Sequence, residues 1–340
     1  MLRKNIMNLI DGKEGYPVGD SVEVEMKATR EGFADALLES GKENENIFAI
    51  CADLTESVQM HKFKEAFPDR FLQVGVAEQN MAAVASGMSA MGKIPVIASY
   101  AMFNPGRNWE QIRTTICYNN RKVIIVGAHA GLSVGPDGGT HQALEDIAIM
   151  RCIPNITILS PADYVEAYIL TKLAFEIDGP VYIRLAREKS PVIFENSYRP
   201  KVGMGEVVYV GQIHNHNKIG IIATGPIICE ALKAVKILEK EFNFCINILN
   251  VHTIKNMNID QIVRFAINNK KILTLEEHQV IGGLGSAIAE ILAEHHPTKM
   301  KMLGIKNRFG QSGTVKELYK EYEVDDVAIV KAALDLIHSN

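Results

Sequence analysis

Cysteine and tryptophan are scarce in this chain of 340 residues, which has five cysteines and one tryptophan. The cysteines are scattered at Cys51, Cys117, Cys152, Cys229 and Cys245, and four of them lie in apolar segments. Their odd number argues against a disulfide framework, and their spacing fits no zinc site. We therefore expect reduced thiols, a cytoplasmic protein and no metal ligands among these residues.

Long apolar runs and an excess of one charge are also lacking. No run approaches the roughly 18 apolar residues that a membrane-spanning helix needs, and polar residues interrupt the N-terminal segment, which argues against a secretory signal. The formal net charge is −4, with a pI near 6.2. This balance argues against a nucleic-acid partner or an anionic membrane surface.

The chain is rich in apolar residues, which make up 47% of the sequence. Strand-like segments alternate with helical ones, including a helix near 106–119, and this rhythm predicts parallel sheets covered by helices on both faces. We expect two doubly wound α/β domains. The predicted division is an N-terminal tail at 1–25, a first domain at 26–190, a linker with an exposed polar turn at 191–217, and a second, smaller domain at 218–340.

The string Val-Gly-Val-Ala-Glu-Gln-Asn-Met at 74–81 places Glu78 between an apolar strand and a helix of small residues. Open α/β sheets present catalytic groups at this position, outside the carboxyl ends of their strands. Apolar neighbours such as Val74, Val76 and Met81 are expected to keep the carboxylate dry. The alternative is a carboxylate that only complements the positive end of the helix dipole.

Two further segments follow the next two strands. Tyr100 and Phe103 come after the strand at 94–99, and their rings are suited to stacking on a flat ligand, although aromatic residues at strand ends also belong to cores. The glycine-rich loop at 127–142 carries His129, Asp137 and His141. Two histidines with an aspartate between them suit hydroxyl recognition and proton transfer near neutral pH. Their spacing fits no standard zinc pattern, and an ordinary loop with incidental histidines remains the alternative.

Together these strings resemble the pyrimidine-binding domain of thiamine-diphosphate enzymes, and within that group the transketolases. The resemblance implies that Glu78 hydrogen-bonds the cofactor's aminopyrimidine and activates it, with Tyr100 and Phe103 stacking on that ring and Phe103 the stronger candidate. The activity implied is transfer of a two-carbon ketol unit from a ketose phosphate to an aldose phosphate.

The loop resembles the transketolase pattern His-x(7)-Asp-Gly-x-Thr-His-Gln. The resemblance implies that His129 helps to bind the sugar phosphate, that Asp137 reads a donor hydroxyl, and that His141 contacts substrate oxygens and acts in catalysis. Deoxyxylulose-phosphate synthases share Thr-His-Gln but typically have an aspartate where this chain has His129. The β subunits of 2-oxo acid dehydrogenases share the glutamate string but usually lack this loop. Both remain alternative readings.

Three more positions match the family's phosphate-binding residues: Arg30 at the start of the first helix, Ser57 after a strand, and Arg187 after the last strand of the first domain. Guanidinium and hydroxyl groups at such positions bind phosphate readily, although each is separately an ordinary surface residue. Arg184 competes with Arg187 for this role. Glu56 stands where the family often has proline, which bears on the size or charge of the substrate.

The resemblance spans roughly 27–335 but includes no Gly-Asp-Gly motif, which in this superfamily anchors the diphosphate through a divalent cation. It therefore implies a split enzyme, in which a separate N-terminal subunit holds Mg²⁺ and the diphosphate, in an α2β2 heterotetramer that is active only when assembled. The glycine-rich turn at 282–285 is expected to be structural. A different class, a non-catalytic partner that regulates a thiamine enzyme, stays open.

Overall fold

The computed structural model describes residues 24–211 and 217–338, and two parallel-dominated α/β sheets form its framework. The N-terminal tail expected at 1–25 therefore lies almost wholly outside the described residues. So does most of the exposed polar turn expected at the end of the linker. Within the described ranges, no helix has both the length and the apolar character required to cross a membrane.

The first sheet has seven strands, in the spatial order β12-β6-β7-β5-β4-β2-β3, and all its pairs are parallel except β12 with β6. Its inner strands are near-continuous apolar runs that are buried on both faces, as a helix-covered parallel sheet requires, whereas the edge strand β3 is partly exposed. The elements of this first part are β1 (Met26–Ala28), α1 (Thr29–Glu43), β2 (Ile47–Cys51), α2 (His61–Ala66), β3 (Phe71–Gln73), α3 (Glu78–Ala90), β4 (Ile94–Tyr100), α4 (Trp109–Gln111), β5 (Ile124–Ala128), α5 (Asp146–Arg151), β6 (Thr157–Leu159), α6 (Tyr164–Ala174), β7 (Val181–Arg184) and β8 (Lys189–Pro191).

The second sheet has five strands in the order β14-β13-β10-β11-β9, with β9 antiparallel at one edge. The elements of the second half of the chain are β9 (Glu206–Val210), β10 (Asn217–Ala223), α7 (Ile228–Lys240), β11 (Phe244–Asn250), β12 (Thr253–Lys255), α8 (Ile259–Asn269), β13 (Lys271–Gln279), α9 (Leu284–His295), β14 (Lys299–Ile305), α10 (Val315–Glu321) and α11 (Asp326–His338). The expected fold class, two α/β domains, is confirmed.

Two local expectations were wrong. The stretch read as an irregular linker contains β9, which pairs with β11 and extends the second sheet. The helix expected near 106–119 is α-helical only over α4 and continues as a π-helix from Ile112 to Cys117. A further strand, β12, had not been predicted; it lies in the second half of the chain but joins the first sheet next to β6. Both β9 and β12 depend on pairing with distant residues, and such pairing leaves no local sequence pattern.

The two halves share a buried polar interface. Glu166 of α6 accepts hydrogen bonds from Asn250 Nδ2, at 2.9 and 3.0 Å, and from Tyr198 Oη, at 3.0 Å. Burial raises the pKa of Glu166 to about 8. These hydrogen bonds satisfy both carboxyl oxygens, which makes the group compatible with the dry interface.

Candidate active site

The predicted site residues lie at the carboxyl edge of the seven-stranded sheet. Tyr100 ends β4, His129 directly follows β5, Arg187 lies three residues beyond β7, and Glu78 is the first residue of α3. Parallel strands bring the ends of distant chain segments to a single edge, which is where such sheets hold their ligands. The loop at 127–142 and the start of α3 thus face one space.

Glu78 is buried, with 1% of its surface exposed. Gly75, with φ +71°, turns the chain out of β3, and Glu78 then opens α3 where the helix dipole favours a negative charge. Arg107 Nη1 donates to Glu78 Oε2 at 2.7 Å, and Ser99 Oγ lies 3.5 Å from Oε1. The expectation that Val76 helps to dry this carboxylate was wrong, because Val76 is 70% exposed.

A group of four rings lies beside this carboxylate. The His129 ring stacks on Tyr100 with 3.8 Å between centroids, and Tyr100 lies parallel to Phe103 at 6.1 Å. His141 meets Tyr100 and Phe103 edge-on, at 6.0 and 5.7 Å. Thr140 Oγ1 lies 2.9 Å from His141 Nδ1 and restrains its orientation. Three segments separated by up to 41 residues of sequence are thus brought together.

His129 is buried and neutral at physiological pH. Burial is the largest cause that lowers its pKa, and together with the charges of Arg30 and Arg187 and the proximity of His141 it brings the pKa to about 3. Its backbone adopts φ +55°, a left-handed conformation that is unusual for a residue with a side chain. Within the described part of the chain, its buried Nδ1 has no hydrogen-bond partner. Strain and an unpaired polar atom together are typical of a site built for a ligand.

The depressed pKa of His129 predicts a pH-dependent contribution to stability. Because the folded-state pKa, about 3, lies below the ordinary value of 6.5, the unfolded chain takes up a proton below pH 6.5 and the folded chain does not. Stability is therefore lost as pH falls, by about 1.4 kcal/mol per pH unit. His129→Asn does not titrate at this position and should lack this contribution. The free energy of unfolding of the wild type, measured with urea, should therefore fall relative to that of the variant by about 1.4 kcal/mol per pH unit between pH 6.5 and 3. Parallel pH profiles for the two proteins would contradict the prediction.

Two arginines project toward the same histidine from opposite ends of the first domain. Arg30 Nη1 donates to the Ser57 carbonyl at 2.8 Å, which joins the start of α1 to the loop after β2. Arg187 Nη1 donates to the Val134 carbonyl at 2.7 Å and lies 3.5 Å from Asp137 Oδ1. Guanidinium groups in this arrangement form an electropositive cluster around a neutral imidazole, suited to an anionic group.

Arg184 does not join this cluster. It is 6% exposed, donates from Nε to Asp146 Oδ2 at 2.9 Å, and reaches the Glu277 carbonyl from Nη2 at 2.8 Å. Tyr182 Oη also donates to Asp146, at 2.8 Å. Of the two arginines that the sequence left open, Arg184 therefore lies in the domain interface and Arg187 faces the candidate site.

The second domain holds the loop at 127–142 in place, through residues that sequence reasoning missed. Glu277 Oε2 accepts from the Ser133 backbone N–H at 2.8 Å, while its Oε1 accepts from Tyr319 Oη at 2.6 Å. Gln142 Nε2 donates to the Gln311 carbonyl at 3.1 Å. A Cβ at Gly131 would lie 2.7 Å from Glu277 Oε2, so this glycine permits the close approach. The contacts of Ser133 with Glu277 and of Gln142 with Gln311 each join residues more than 140 positions apart, and no local motif marks them.

The neighbouring glycine-rich turn has the structural role expected for it. Glu276 accepts hydrogen bonds from the backbone N–H groups of Leu284 and Gly285 at 2.7 and 2.8 Å. These two N–H groups, at the start of α9, have no acceptor within the helix. A Cβ at Gly283 would lie 2.0 Å from Glu276 Oε2. Within the described ranges, no group of three or more metal-ligating side chains is close enough to hold a metal ion.

Comparison with known proteins agrees with this geometry. Residues 25–192 match the transketolase pyrimidine binding domain, and residues 209–329 match the transketolase C-terminal domain. A solved structure of a split-gene transketolase, in the form of an inactive β4 tetramer, superposes with a TM-score of 0.84 at 39% identity and covers 91% of this chain and 98% of its own.

Two curated relatives match over nearly their full length. The putative transketolase C-terminal section of Methanocaldococcus jannaschii is 39% identical over 312 residues, which are 91% of this chain and 96% of that protein. A subunit of the 6-deoxy-6-sulfo-D-fructose transketolase of Clostridium sp. is 34% identical and covers 92% of this chain and 95% of its own. With matches to both family domains and to these relatives, this chain belongs to the thiamine-diphosphate-dependent transketolase family and resembles the C-terminal sections of its split members.

Proposed function

We propose that this chain is the C-terminal subunit of a two-chain transketolase, active only with its partner, which transfers a two-carbon ketol unit from a ketose phosphate to an aldose phosphate. One observation carries the proposal. A buried carboxylate and a cluster of histidine and arginine side chains face the same sheet edge, joined by stacked aromatic rings. A purely structural or regulatory partner needs neither group.

The residues present fit the pyrimidine half of thiamine diphosphate. That half needs a dry carboxylate facing a ring nitrogen and an aromatic surface beside it. Glu78 is 1% exposed, and its carboxylate is paired with a planar guanidinium that lies over the Phe103 ring, 4.6 Å from the centroid. A flat nitrogen-bearing group is therefore already accommodated there. Glu78, Phe103 and Tyr100 would hold the cofactor, with Glu78 polarising the pyrimidine.

When bound, the cofactor supplies the nucleophilic carbon that breaks and forms the carbon–carbon bond, and the protein orients and polarises. Glu78 would hold a proton at the pyrimidine ring nitrogen, in a place from which the fold excludes water. His141, placed edge-on to both aromatic rings, would exchange protons with substrate oxygens. Asp137, beside Arg187, would accept a hydrogen bond from a donor hydroxyl.

The anionic end of the sugar would meet the electropositive cluster. We assign it to Arg30, Ser57, His129 and Arg187, because the two guanidinium groups already act electrostatically on His129 and Arg30 contacts Ser57. A phosphate would supply the hydrogen-bond partner that His129 Nδ1 lacks among the described residues. The Clostridium relative is named for 6-deoxy-6-sulfo-D-fructose, a sugar that carries a sulfonate in place of a phosphate.

The diphosphate and Mg²⁺ would be held mainly by an N-terminal subunit, because the sequence has no Gly-Asp-Gly motif. We propose a cytoplasmic α2β2 assembly with its active sites between subunits. The division of this chain into a first domain ending near 190 and a second beginning near 218 belongs to the same proposal, with β9 of the intervening segment attached to the second sheet.

Calorimetry with thiamine diphosphate and Mg²⁺ tests the shared site. We expect no measurable binding to the lone chain and saturable binding to its mixture with a partner that carries Gly-Asp-Gly, because the diphosphate contributes charge-assisted contacts that only the partner provides. Tight binding to the lone chain would contradict a split site. In the assembled enzyme, turnover of pyruvate in place of ketose phosphates would instead indicate a synthase.

The phosphate assignment predicts a selective loss on Arg187→Met. Removing a charge-assisted hydrogen bond costs about 1.5–3 kcal/mol, so KM for phosphorylated sugars should rise about 10- to 100-fold. KM for the corresponding unphosphorylated sugars should hardly change. Arg264→Met, at an exposed position of α8, is the matched control. An equal loss for both sugar classes would show that Arg187 positions the loop and does not read the anion.

A further inference from the structure

Among the described residues, the buried carboxylate of Glu78 has one cationic partner, Arg107, whose position is unusual. Nη1 of Arg107 donates to Glu78 Oε2 at 2.7 Å while the guanidinium carbon lies 4.6 Å from the centroid of the Phe103 ring. Its flat group therefore contacts both residues assigned to the cofactor's pyrimidine under the proposed function. The Arg107 side chain is nevertheless 45% exposed, whereas that of Glu78 is 1% exposed.

The turn after Phe103 leaves Arg107 as the side chain that covers Glu78. Asn104 and Asn108 point inward, since Asn104 Nδ2 donates to the Val126 carbonyl at 3.0 Å and Asn108 Nδ2 donates to the Asn104 side chain at 2.9 Å. At Gly106 a Cβ would lie 1.9 Å from the Met102 carbonyl oxygen, so this backbone excludes a side chain there. Arg107 is joined to Phe103 through a backbone hydrogen bond of 3.0 Å.

A guanidinium group and an aminopyrimidine share the features needed to bind between the Glu78 carboxylate and the Phe103 ring. Both are planar, both present N–H donors along an edge toward a carboxylate, and both stack on an aromatic face. A charged carboxylate buried without a partner is costly, and in the cofactor-free chain Arg107 supplies that partner. Because the outer part of Arg107 reaches solvent, its side chain can leave without disturbing the core.

We propose that Arg107 holds the place of the cofactor's aminopyrimidine in the cofactor-free chain and leaves as that ring enters. This inference rests on the proposed function, because it takes Glu78 and Phe103 as the pyrimidine site. It makes Arg107 a positioning residue with two effects. Arg107 keeps the buried carboxylate paired before assembly, and it lowers the apparent affinity for the cofactor by competing for the same carboxylate.

The size of the competition follows from the fraction of molecules in which the site is open. The apparent dissociation constant is the intrinsic constant divided by that fraction, so an arginine that is in place in about nine molecules of ten weakens binding about tenfold. Removal of the guanidinium should recover this factor. The same removal should lower the thermal stability of the cofactor-free chain, because Glu78 then loses its cation.

The experiment measures two quantities in five proteins: wild type, Arg107→Gln, Glu78→Gln, the double variant of these two, and the control Arg113→Gln, an exposed arginine on the π-helix. The first is the melting temperature of the lone chain. The second is the calorimetric affinity for thiamine diphosphate with Mg²⁺ in the complex with the partner. We expect Arg107→Gln to lower the melting temperature and to tighten cofactor binding about tenfold. Addition of Glu78→Gln to Arg107→Gln should restore stability.

Each other outcome is decisive. Weaker cofactor binding in Arg107→Gln would show that Arg107 is itself a cofactor ligand, and unchanged affinity would show that it does not compete; either result overturns the inference while leaving the proposed function intact. Cofactor binding that is indifferent to Glu78→Gln would instead overturn the proposed function itself. A melting temperature of Arg107→Gln equal to that of Arg113→Gln would show that the ion pair does not stabilise the chain.

Discussion

Replacement of Glu78 by glutamine should lower kcat of the assembled enzyme by about 10²- to 10⁴-fold, the range that a positioned acid or base contributes. The amide keeps the size of the side chain but cannot take up the proton that the carboxylate holds at the pyrimidine. The effect is expected on kcat, because the cofactor must be activated in every turnover. Steady-state kinetics at saturating cofactor measures it.

Glu65→Gln is the matched control, because Glu65 lies exposed on α2, away from the sheet edge. It should leave kcat unchanged. If Glu78→Gln also left kcat unchanged in the reconstituted complex, the carboxylate would have no catalytic role. The reading of this chain as a non-catalytic regulatory partner would then be favoured.

Replacement of Arg184 by methionine should destabilise the chain by about 3–5 kcal/mol, the cost of removing one partner from a buried ion pair. Asp146 would keep the hydrogen bond from Tyr182 but lose its cation, and the Glu277 carbonyl would lose its donor. Asp146 opens α5, directly after the loop that carries His141, so activity should fall as well. Urea unfolding of the lone chain measures the loss.

Two comparisons test the cause of this loss. Lys301→Met breaks an exposed ion pair, with Lys301 32% and Asp335 57% exposed, and should cost at most about 1 kcal/mol. Asp146→Asn added to Arg184→Met should recover part of the stability, because the buried charge is then gone. A double variant no more stable than Arg184→Met would show that lost packing, and not the unpaired carboxylate, causes the effect.

Much of the architecture followed from local patterns. The alternation of apolar strands with helices depends on periodicities of a few residues, and it predicted the α/β class and the position of Glu78 at the junction between a strand and a helix. Because carboxyl ends of parallel strands meet at one edge, strand order along the chain was enough to expect Glu78, Tyr100 and His129 near one another. Their stacking and burial agree with that expectation. The catalytic and binding roles assigned to them stay predictions.

Contacts between distant segments leave no periodicity or motif in the local sequence from which they could be predicted. The sequence does not distinguish Arg184 from Arg187 as the phosphate-binding residue. The contacts with Asp146 and Glu277 place Arg184 in the domain interface, which leaves Arg187 to face the site. Val76 belongs to an apolar string but points outward.

The sequence by itself therefore determined the fold class, the family resemblance and the edge at which the site lies, since each depends on local pattern and motif. Tertiary structure alone decided the pairing of Arg107 with Glu78 across 29 residues and of Ser133 with Glu277 across 144. The physical reason is that the free energy of a buried charge depends on which distant groups the fold brings to it, and periodicity along the chain does not encode this.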